Sequence, residues 1–158
     1  MHTEAEEQEI QKEDKELLQL VTFKLDKAEY GIDILRVQEI IRIMAITKVP
    51  NSPEHVEGVI NLRGRVIPVV SLRKMLFLPD TEKDNKTRVI VVELSDKTVG
   101  FIVDEVNEVL RIPRSITEPP PEITAGIDTD YIISVGKLED RLLILLNIEK
   151  LIIKTHIE

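Results

Sequence analysis

The chain of 158 residues contains no cysteine, few aromatic residues and only three histidines. Without cysteine it has neither disulfides nor thiolate metal ligands or nucleophiles. Neither the spacing nor the position of His2, His55 and His156 suggests metal ligation or a base beside a nucleophile. Asp104 and Glu105 would face opposite sides of a strand, which is poor geometry for joint acid–base work, and we predict solvated edge charges there. We therefore expect no catalytic residue, no bound metal and no cofactor.

The sequence also lacks the features of a membrane, nucleotide or nucleic-acid-binding protein. Its longest apolar run, residues 142–146, is far shorter than the roughly 20 residues that cross a bilayer, and the acidic start at residues 1–7 does not resemble a signal peptide. The six glycines are scattered singly rather than grouped in a phosphate-binding loop. Aromatic residues make up 3% of the chain and its net charge is −8, which disfavours base stacking and phosphate contacts. We expect a cytoplasmic protein that binds no nucleic acid and does not insert into membranes.

An internal repeat is the clearest feature of the chain's organisation. A shift of 69 positions, from Gly31 to Gly100, aligns many identical residues. The identical pairs include Leu25 with Leu94, Val37 with Val106, Glu39 with Glu108, Arg42 with Arg111 and Ile43 with Ile112. Across a longer loop, residues 65–67 align with residues 141–143. The pattern predicts two copies of one unit, at approximately residues 18–78 and 87–151.

Each copy has the pattern of a set of short strands. Runs of β-branched and aliphatic residues, such as residues 18–25 and 88–94, end in polar turns. Each copy holds about five strands, and an antiparallel set of that size avoids exposed edges by curling into a barrel. We therefore predict a mainly β fold of two small five-stranded barrels packed together. Short helices are predicted at residues 71–76 and 148–153, the second capped by Asn147.

The ends of the chain are predicted to lie outside the folded unit. Residues 1–16 are acidic and lack apolar periodicity, which predicts a frayed or helical tail. The folded domain then covers residues 17–152, and residues 153–158 form a C-terminal tail. A proline-rich start at residues 119–121 predicts an extended connection towards Tyr131.

Residues 58–73 contain the most informative motif of the chain. Two apolar runs, residues 59–62 and 66–70, flank the polar break at residues 63–65, which predicts two strands joined by a tight turn. Glycine suits such a turn because it accepts positive φ without steric cost. Arg63, at the edge of an apolar hairpin, either pairs with a carboxylate or faces a partner.

This motif resembles the signature of the CheW family of bacterial chemotaxis coupling proteins, in which an Asn-Leu-Arg-Gly turn precedes an apolar strand that contains proline. Ser71 stands where the family usually has aspartate. Other segments resemble further blocks of the family in the same order, so that the resemblance covers approximately residues 17–152. The matching blocks are residues 30–34, 61–64, 67–73, 99–106 and 140–151.

The resemblance implies two packed SH3-like barrels and a non-catalytic adaptor. Members of the family join the histidine kinase CheA to the cytoplasmic tips of methyl-accepting chemoreceptors, so it also implies a location at the membrane-associated receptor array through these partners. It implies kinase-binding residues at Val37, Glu39, Ile40 and Gly58. It implies receptor-binding residues at Arg63, Val106 and Val109.

Each of these assignments has an alternative. The apolar residues could belong to the core, Gly58 could be needed for its backbone conformation, and Arg63 could pin the turn through an internal ion pair. The chain could also be the regulatory domain of a CheA kinase or a fragment of a CheW-receiver fusion. A small cytosolic barrel enzyme or a nucleic-acid-binding barrel is disfavoured by the acidic charge and by the lack of a histidine or cysteine site.

Overall fold

The computed structural model describes residues 16–120 and 129–155. Residues 1–15 of the predicted N-terminal tail, residues 121–128 of the proline-rich connection and residues 156–158 of the predicted C-terminal tail lie outside these ranges. The described residues form strands β1 (Leu17–Leu25), β2 (Ala28–Asp33), β3 (Val37–Arg42), β4 (Val56–Leu62), β5 (Arg65–Ser71), β6 (Arg88–Leu94), β7 (Lys97–Val103), β8 (Glu105–Pro113), β9 (Thr117–Glu118), β10 (Ile132–Leu138) and β11 (Arg141–Leu146). Their helices are α1 (Leu72–Met75) and α2 (Ile148–Thr155), with 3₁₀ turns at Ile34–Arg36, Arg114–Ile116 and Thr129–Tyr131.

The strands form two mixed sheets. Sheet A has six strands in the order β8-β1-β2-β11-β10-β9, and sheet B has five in the order β3-β6-β7-β5-β4. One pair in each sheet is parallel: β2 with β11, where Gly31 faces Leu145, and β5 with β7, where Gly100 faces Val69. The mainly β fold class is confirmed, but the expectation of purely antiparallel sets is wrong. The equivalent glycines show that the sequence repeat is also a repeat of strand pairing.

The two repeats exchange strands between the sheets. Sheet A combines β1 and β2 of the first repeat with β8, β9, β10 and β11 of the second, whereas sheet B combines β3, β4 and β5 with β6 and β7. The expectation that each contiguous repeat builds its own set of strands is therefore wrong. The chain passes between the sheets at two crossovers, the turn Ile34–Arg36 and the single residue Asp104 between β7 and β8.

In each sheet, one continuous segment of the chain runs from an edge strand to the opposite edge of the same sheet. In sheet B the chain continues from edge strand β3 to Thr47, which pairs with Val59 on the opposite edge strand β4. In sheet A the chain leaves edge strand β8, turns at Arg114–Ile116, and forms β9 at the opposite edge. These returns cover backbone groups that would otherwise be open to unwanted pairing.

Three apolar clusters stabilise this arrangement. The largest takes residues from both sheets and lies between them, and it contains Phe23, Tyr30, Ile90, Phe101 and Leu151. Smaller clusters belong to sheet B, around Val89 and Val91, and to sheet A, around Leu20 and Leu143. Strands β1 and β6 contribute alternate residues to the shared cluster and to a smaller one. Both faces of these strands are therefore buried over part of their length, which explains the continuous apolar run at residues 89–92 of β6.

Both predicted helices are present. The Ser71 hydroxyl accepts the Lys74 N–H at 3.2 Å and caps α1, so serine supplies the oxygen that an aspartate could supply there. Asn147 Oδ1 accepts the Lys150 N–H at 3.2 Å and caps α2, as predicted. Helix α2 continues to Thr155, which is buried, so residues 153–155 belong to the helix rather than to a separate tail. Among the described residues, no helix has the length and apolar character to span a membrane.

Candidate interaction surfaces

Arg63 and Gly64 form the two-residue turn between β4 and β5. Their φ angles are 51° and 85°, and two positive values are typical of the type I′ turn that matches the twist of paired strands. The Gly64 N–H donates to Asn61 Oδ1 at 2.9 Å, which ties the turn to β4. The predicted hairpin is confirmed, and the turn presents the Arg63 side chain at one end of sheet B.

Arg63 is paired within the fold and is also open to solvent. Its guanidinium donates to the carboxylate of Glu39 on β3, and the Arg63 and Glu39 side chains are 71% and 27% exposed. Strands β3 and β4 are opposite edges of sheet B, so the pair joins the two edges. The structure thus shows the ion pair of the first alternative, and it leaves the Arg63 side chain accessible to a partner. It also brings together two residues that the sequence assigned to different partner surfaces.

Gly58 lies buried at a bulge in β4 with a φ of 147°. A Cβ atom at this position would lie 2.1 Å from the carbonyl oxygen of Thr47, a distance that no pair of such atoms tolerates. Thr47 in turn exchanges two backbone hydrogen bonds with Val59, at 2.9 and 2.8 Å. The backbone therefore accounts for glycine here. Any effect of Gly58 on a partner acts through the shape of this sheet edge.

The predicted apolar residues divide into an exposed pair and a half-buried pair. Ile40 on β3 and Val109 on β8 are equivalent in the repeats, and they are 38% and 57% exposed. Val37 and Val106 are also equivalent, but they are half-buried and pack against the shared cluster. Packing against the shared cluster therefore accounts for the buried part of the Val37 and Val106 side chains. Ile40 and Val109 are accessible on the surface.

Two further exposed apolar residues were missed from the sequence. Val66 on β5 is 70% exposed and Leu142 on β11 is 60% exposed. They align in the repeat, and each precedes a fully buried residue, Ile67 or Leu143. The alternation of side chains along a strand would have placed them on the outer face once the inward positions were known.

Sheet A contains a counterpart of the Arg63–Glu39 pair. Arg141, at the start of β11, lies 2.7 Å from an oxygen of Glu108 on β8 and 3.3 Å from an oxygen of Glu29 on β2. Glu108 is the repeat equivalent of Glu39. On each edge strand the glutamate of an arginine–glutamate pair is followed directly by an exposed aliphatic residue, whose side chain lies on the opposite face of the strand. The edge thus carries apolar and charged groups, a combination that suits a protein interface with a polar rim.

Asp104 belongs to an ion pair that links several segments of backbone. Arg73 Nε and Nη2 donate to the two Asp104 oxygens at 2.7 and 2.6 Å, and the Asp26 N–H donates to Asp104 Oδ2 at 2.8 Å. Burial favours a raised pKa for Asp104, but the hydrogen bonds from Arg73 and Asp26 outweigh it and lower the pKa below its ordinary value. The same hydrogen bond raises the pKa of Arg73. The prediction that Asp104 is a solvated edge charge is therefore wrong.

The charged groups are thus arranged in ion pairs along the outer edges of the sheets and at the crossover. Within residues 16–120 and 129–155, no three histidine, aspartate or glutamate residues are grouped so that they could hold a metal ion. The surfaces with the clearest chemical character are the two edge strands β3 and β8, which carry both aliphatic and charged side chains.

Comparisons with known proteins agree with this architecture. A family model described as a CheW-like domain matches residues 19–155. The chemotaxis protein CheW of Klebsiella aerogenes is 39% identical over 134 residues, which cover 85% of this chain and 81% of that protein. The chemotaxis protein CheW of Thermotoga maritima is 40% identical over 136 residues, with 85% and 87% covered. The crystal structure of the scaffolding protein TtCheW from Thermoanaerobacter tengcongensis matches with a TM-score of 0.77 and 39% identity, and the match covers 84% of this chain and 85% of that chain.

Proposed function

The chain belongs to the CheW family of chemotaxis scaffold proteins, and we propose that it joins the histidine kinase CheA to the cytoplasmic tips of methyl-accepting chemoreceptors. The scaffold function is favoured over a detached CheA domain, a CheW-receiver fragment or a barrel enzyme, because the two CheW proteins match 85% of this chain and are themselves covered over 81% and 87% of their length. An adaptor contributes interface free energy and geometry. It combines contacts of modest affinity into one assembly through effective concentration.

One observation carries this proposal: an edge strand of each sheet presents an exposed aliphatic residue directly after the glutamate of an arginine–glutamate pair. Ile40 follows Glu39 on β3, and Val109 follows Glu108 on β8, so that each edge strand carries the aliphatic side chain on one face and the paired carboxylate on the other. Apolar anchors that lose water on binding dominate the energetics of most interfaces, and charged rims set orientation. Two such faces on one body are what an adaptor between two proteins requires.

The kinase face in this proposal is the outer edge of sheet B. Ile40 is its exposed anchor and Glu39 its charged neighbour, while half-buried Val37 supports the start of β3 from the shared cluster. Gly58 allows the segment around Thr47 to lie against β4 and so maintains the backbone conformation of this edge.

The receptor face in this proposal includes β8 of sheet A. Val109 is exposed there, and Val106 lies closer to the shared cluster. Arg63 adds a solvent-exposed guanidinium from sheet B, where it is held by Glu39 of the kinase face. The two faces would thus meet at one ion pair. Through these partners the protein would be located in the cytoplasm at the receptor array.

The test is a binding experiment with purified CheA and a cytoplasmic receptor fragment. We expect the unchanged chain to bind both and to bring them into one complex. Ile40→Asp should lose CheA and retain the receptor fragment, whereas Val109→Asp should do the reverse. Circular dichroism melts check that both variants fold. A chain that binds neither partner, or two variants with identical losses, would contradict the assignment of the faces.

We also propose that the protein has no catalytic activity of its own, because the sequence offers neither a glycine-rich phosphate loop nor a nucleophile beside a base. Equilibrium dialysis with ATP tests this directly. We expect no saturable binding, and saturable binding would contradict the proposal.

A further inference from the structure

The two crossovers between the sheets are equivalent in the repeats but are held in different ways. Asp104, the second crossover, lies at the repeat position of Leu35 in the turn Ile34–Arg36, the first crossover. A helix flanks each one: α1 contacts Asp104 through Arg73, and α2 contacts the first crossover through Glu149. The contacts can therefore be compared position by position.

At the second crossover, several segments of chain converge on one carboxylate. Asp104 accepts two hydrogen bonds from Arg73 and one from the backbone of Asp26, at 2.6 to 2.8 Å. Its own N–H donates to the Lys24 carbonyl at 3.1 Å, and Arg73 Nη1 donates to the Pro79 carbonyl at 2.6 Å. Lys24 and Asp26 belong to the β1–β2 hairpin of sheet A, whereas α1 and β7 belong with sheet B. The network thus spans both sheets.

At the first crossover the corresponding contact is long and open to water. Arg36 Nη2 lies 3.7 Å from Glu149 Oε1, and the two side chains are 42% and 61% exposed. Leu35, the repeat equivalent of Asp104, is 86% exposed. Exposed ion pairs contribute little to rigidity, because water screens them and the side chains remain mobile.

We propose that the Arg73–Asp104–Asp26 network fixes the relative orientation of the two sheets, and that the Arg36–Glu149 contact does not. The two parallel hydrogen bonds of an arginine–carboxylate pair are directional as well as strong. The apolar cluster between the sheets supplies attraction without comparable directionality. Loss of the network leaves two intact sheets whose mutual angle varies.

The orientation has a consequence for coupling, which rests on the proposed function. The proposed kinase contacts lie on β3 of sheet B, and the proposed receptor contacts Val106 and Val109 lie on β8 of sheet A. Strand β8 begins at the residue after Asp104. The network therefore sets the distance and angle between the two faces, which makes Arg73 and Asp104 positioning residues for the adaptor.

Distance measurement by pulsed electron spin resonance tests the proposal on the whole chain without a partner. Because the sequence has no cysteine, Asp96→Cys and Asp140→Cys introduce the sole sites for two spin labels. Both residues are exposed, one in the β6–β7 turn of sheet B and the other in the β10–β11 turn of sheet A. We expect a narrow distance distribution for the labelled chain with the network intact. After Asp104→Asn the distribution should be about twice as broad, because the two sheets can then rotate relative to each other.

Two variants provide the controls. Arg36→Gln removes the opposite contact and should leave the distribution unchanged. Arg73→Met with Asp104→Leu replaces the network by apolar side chains, which can preserve stability, and should still broaden the distribution. If Asp104→Asn does not fold, the distance distribution of the double variant provides the test of the proposal. An unchanged distribution after loss of the network, or equal broadening by Arg36→Gln, would overturn the proposal whether or not the chain binds CheA.

Discussion

Arg63 and Glu39 form an ion pair that links the two edges of one sheet. The two residues are 24 positions apart in sequence, and their strands are as far apart as the order of sheet B allows. The contact therefore depends on the curvature of the sheet rather than on neighbouring strands. Because Arg63 is largely in water, the pair has the character of a surface ion pair, with a carboxylate that is better shielded than the guanidinium.

Arg63→Ala should lower the free energy of unfolding by no more than about 1 kcal/mol, because exposed ion pairs contribute little. Urea melts of the variant and the unchanged chain measure this. Arg65→Ala, which removes the neighbouring guanidinium bonded to Thr98, is the matched control of equal charge. A loss of about 3 to 5 kcal/mol, typical of a broken buried pair, would contradict the prediction. For Arg63→Ala we expect reduced receptor affinity with only a small loss of stability.

Ile40→Asp should weaken CheA binding more than charge reversal by Glu39→Lys, because an apolar side chain that becomes buried on binding contributes more than a charge at the rim of the interface. Isothermal titration of the folded variants measures both affinities. Val66→Asp, at another exposed aliphatic residue of sheet B, should leave the affinity unchanged. If Val66→Asp were the damaging variant, the kinase face would lie on β5 instead of β3.

Gly58→Ala should destabilise the chain by about 3 kcal/mol or more, because the added methyl group meets the Thr47 backbone and cannot be relieved by a side-chain movement. Gly64→Ala is the matched control: its φ of +85° is also unfavourable for alanine, but nothing lies within 4 Å of the added atom. We expect a cost of about 1 kcal/mol there. Equal losses in thermal or urea melts would show that backbone strain alone matters at Gly58.

Asp104 should make stability depend on pH. Its pKa is lower in the folded chain than the ordinary value of 3.8, so the network stabilises the fold above that value and loses its effect as the pH falls through the folded pKa. Urea melts from neutral pH into the acid range should show that Asp104→Asn is less stable at neutral pH. The difference from the unchanged chain should shrink as the pH falls. A difference that stays constant would contradict this assignment.

Local sequence patterns were sufficient for the hairpin around Arg63, the cap Asn147 and the equivalence of Gly31 and Gly100. Each depends on residues close in sequence or on direct comparison of the repeats. The exchange of strands could not be inferred in the same way. Both copies carry the same pattern, and a strand from either would satisfy the same apolar neighbours.

The sequence prediction also failed at Asp104, which was predicted to be a solvated edge charge on a strand. The partner that changes its environment, Arg73, is 31 residues away in sequence and follows a strand of the other repeat. Similarly, the exposure of Val66 depends on which face of β5 is turned inward, and this is decided by the packing of Ile67 into the cluster around Val89 and Val91. Pairings of this kind are properties of the folded chain and leave no local signal.

The exchange of strands has a consequence for how the chain reaches its fold. Strand β1 pairs with β8, which is far away in sequence, so that Leu17 lies opposite Pro113. Contacts between residues so distant in sequence slow folding. During synthesis the strands of the first repeat are made before the strands that complete their two sheets. The unpaired strand edges of this intermediate promote aggregation. The same topology means that a break between α1 and β6 leaves two fragments, each of which carries the strands that the other lacks. Neither would fold alone, and together they would assemble by mutual completion of both sheets.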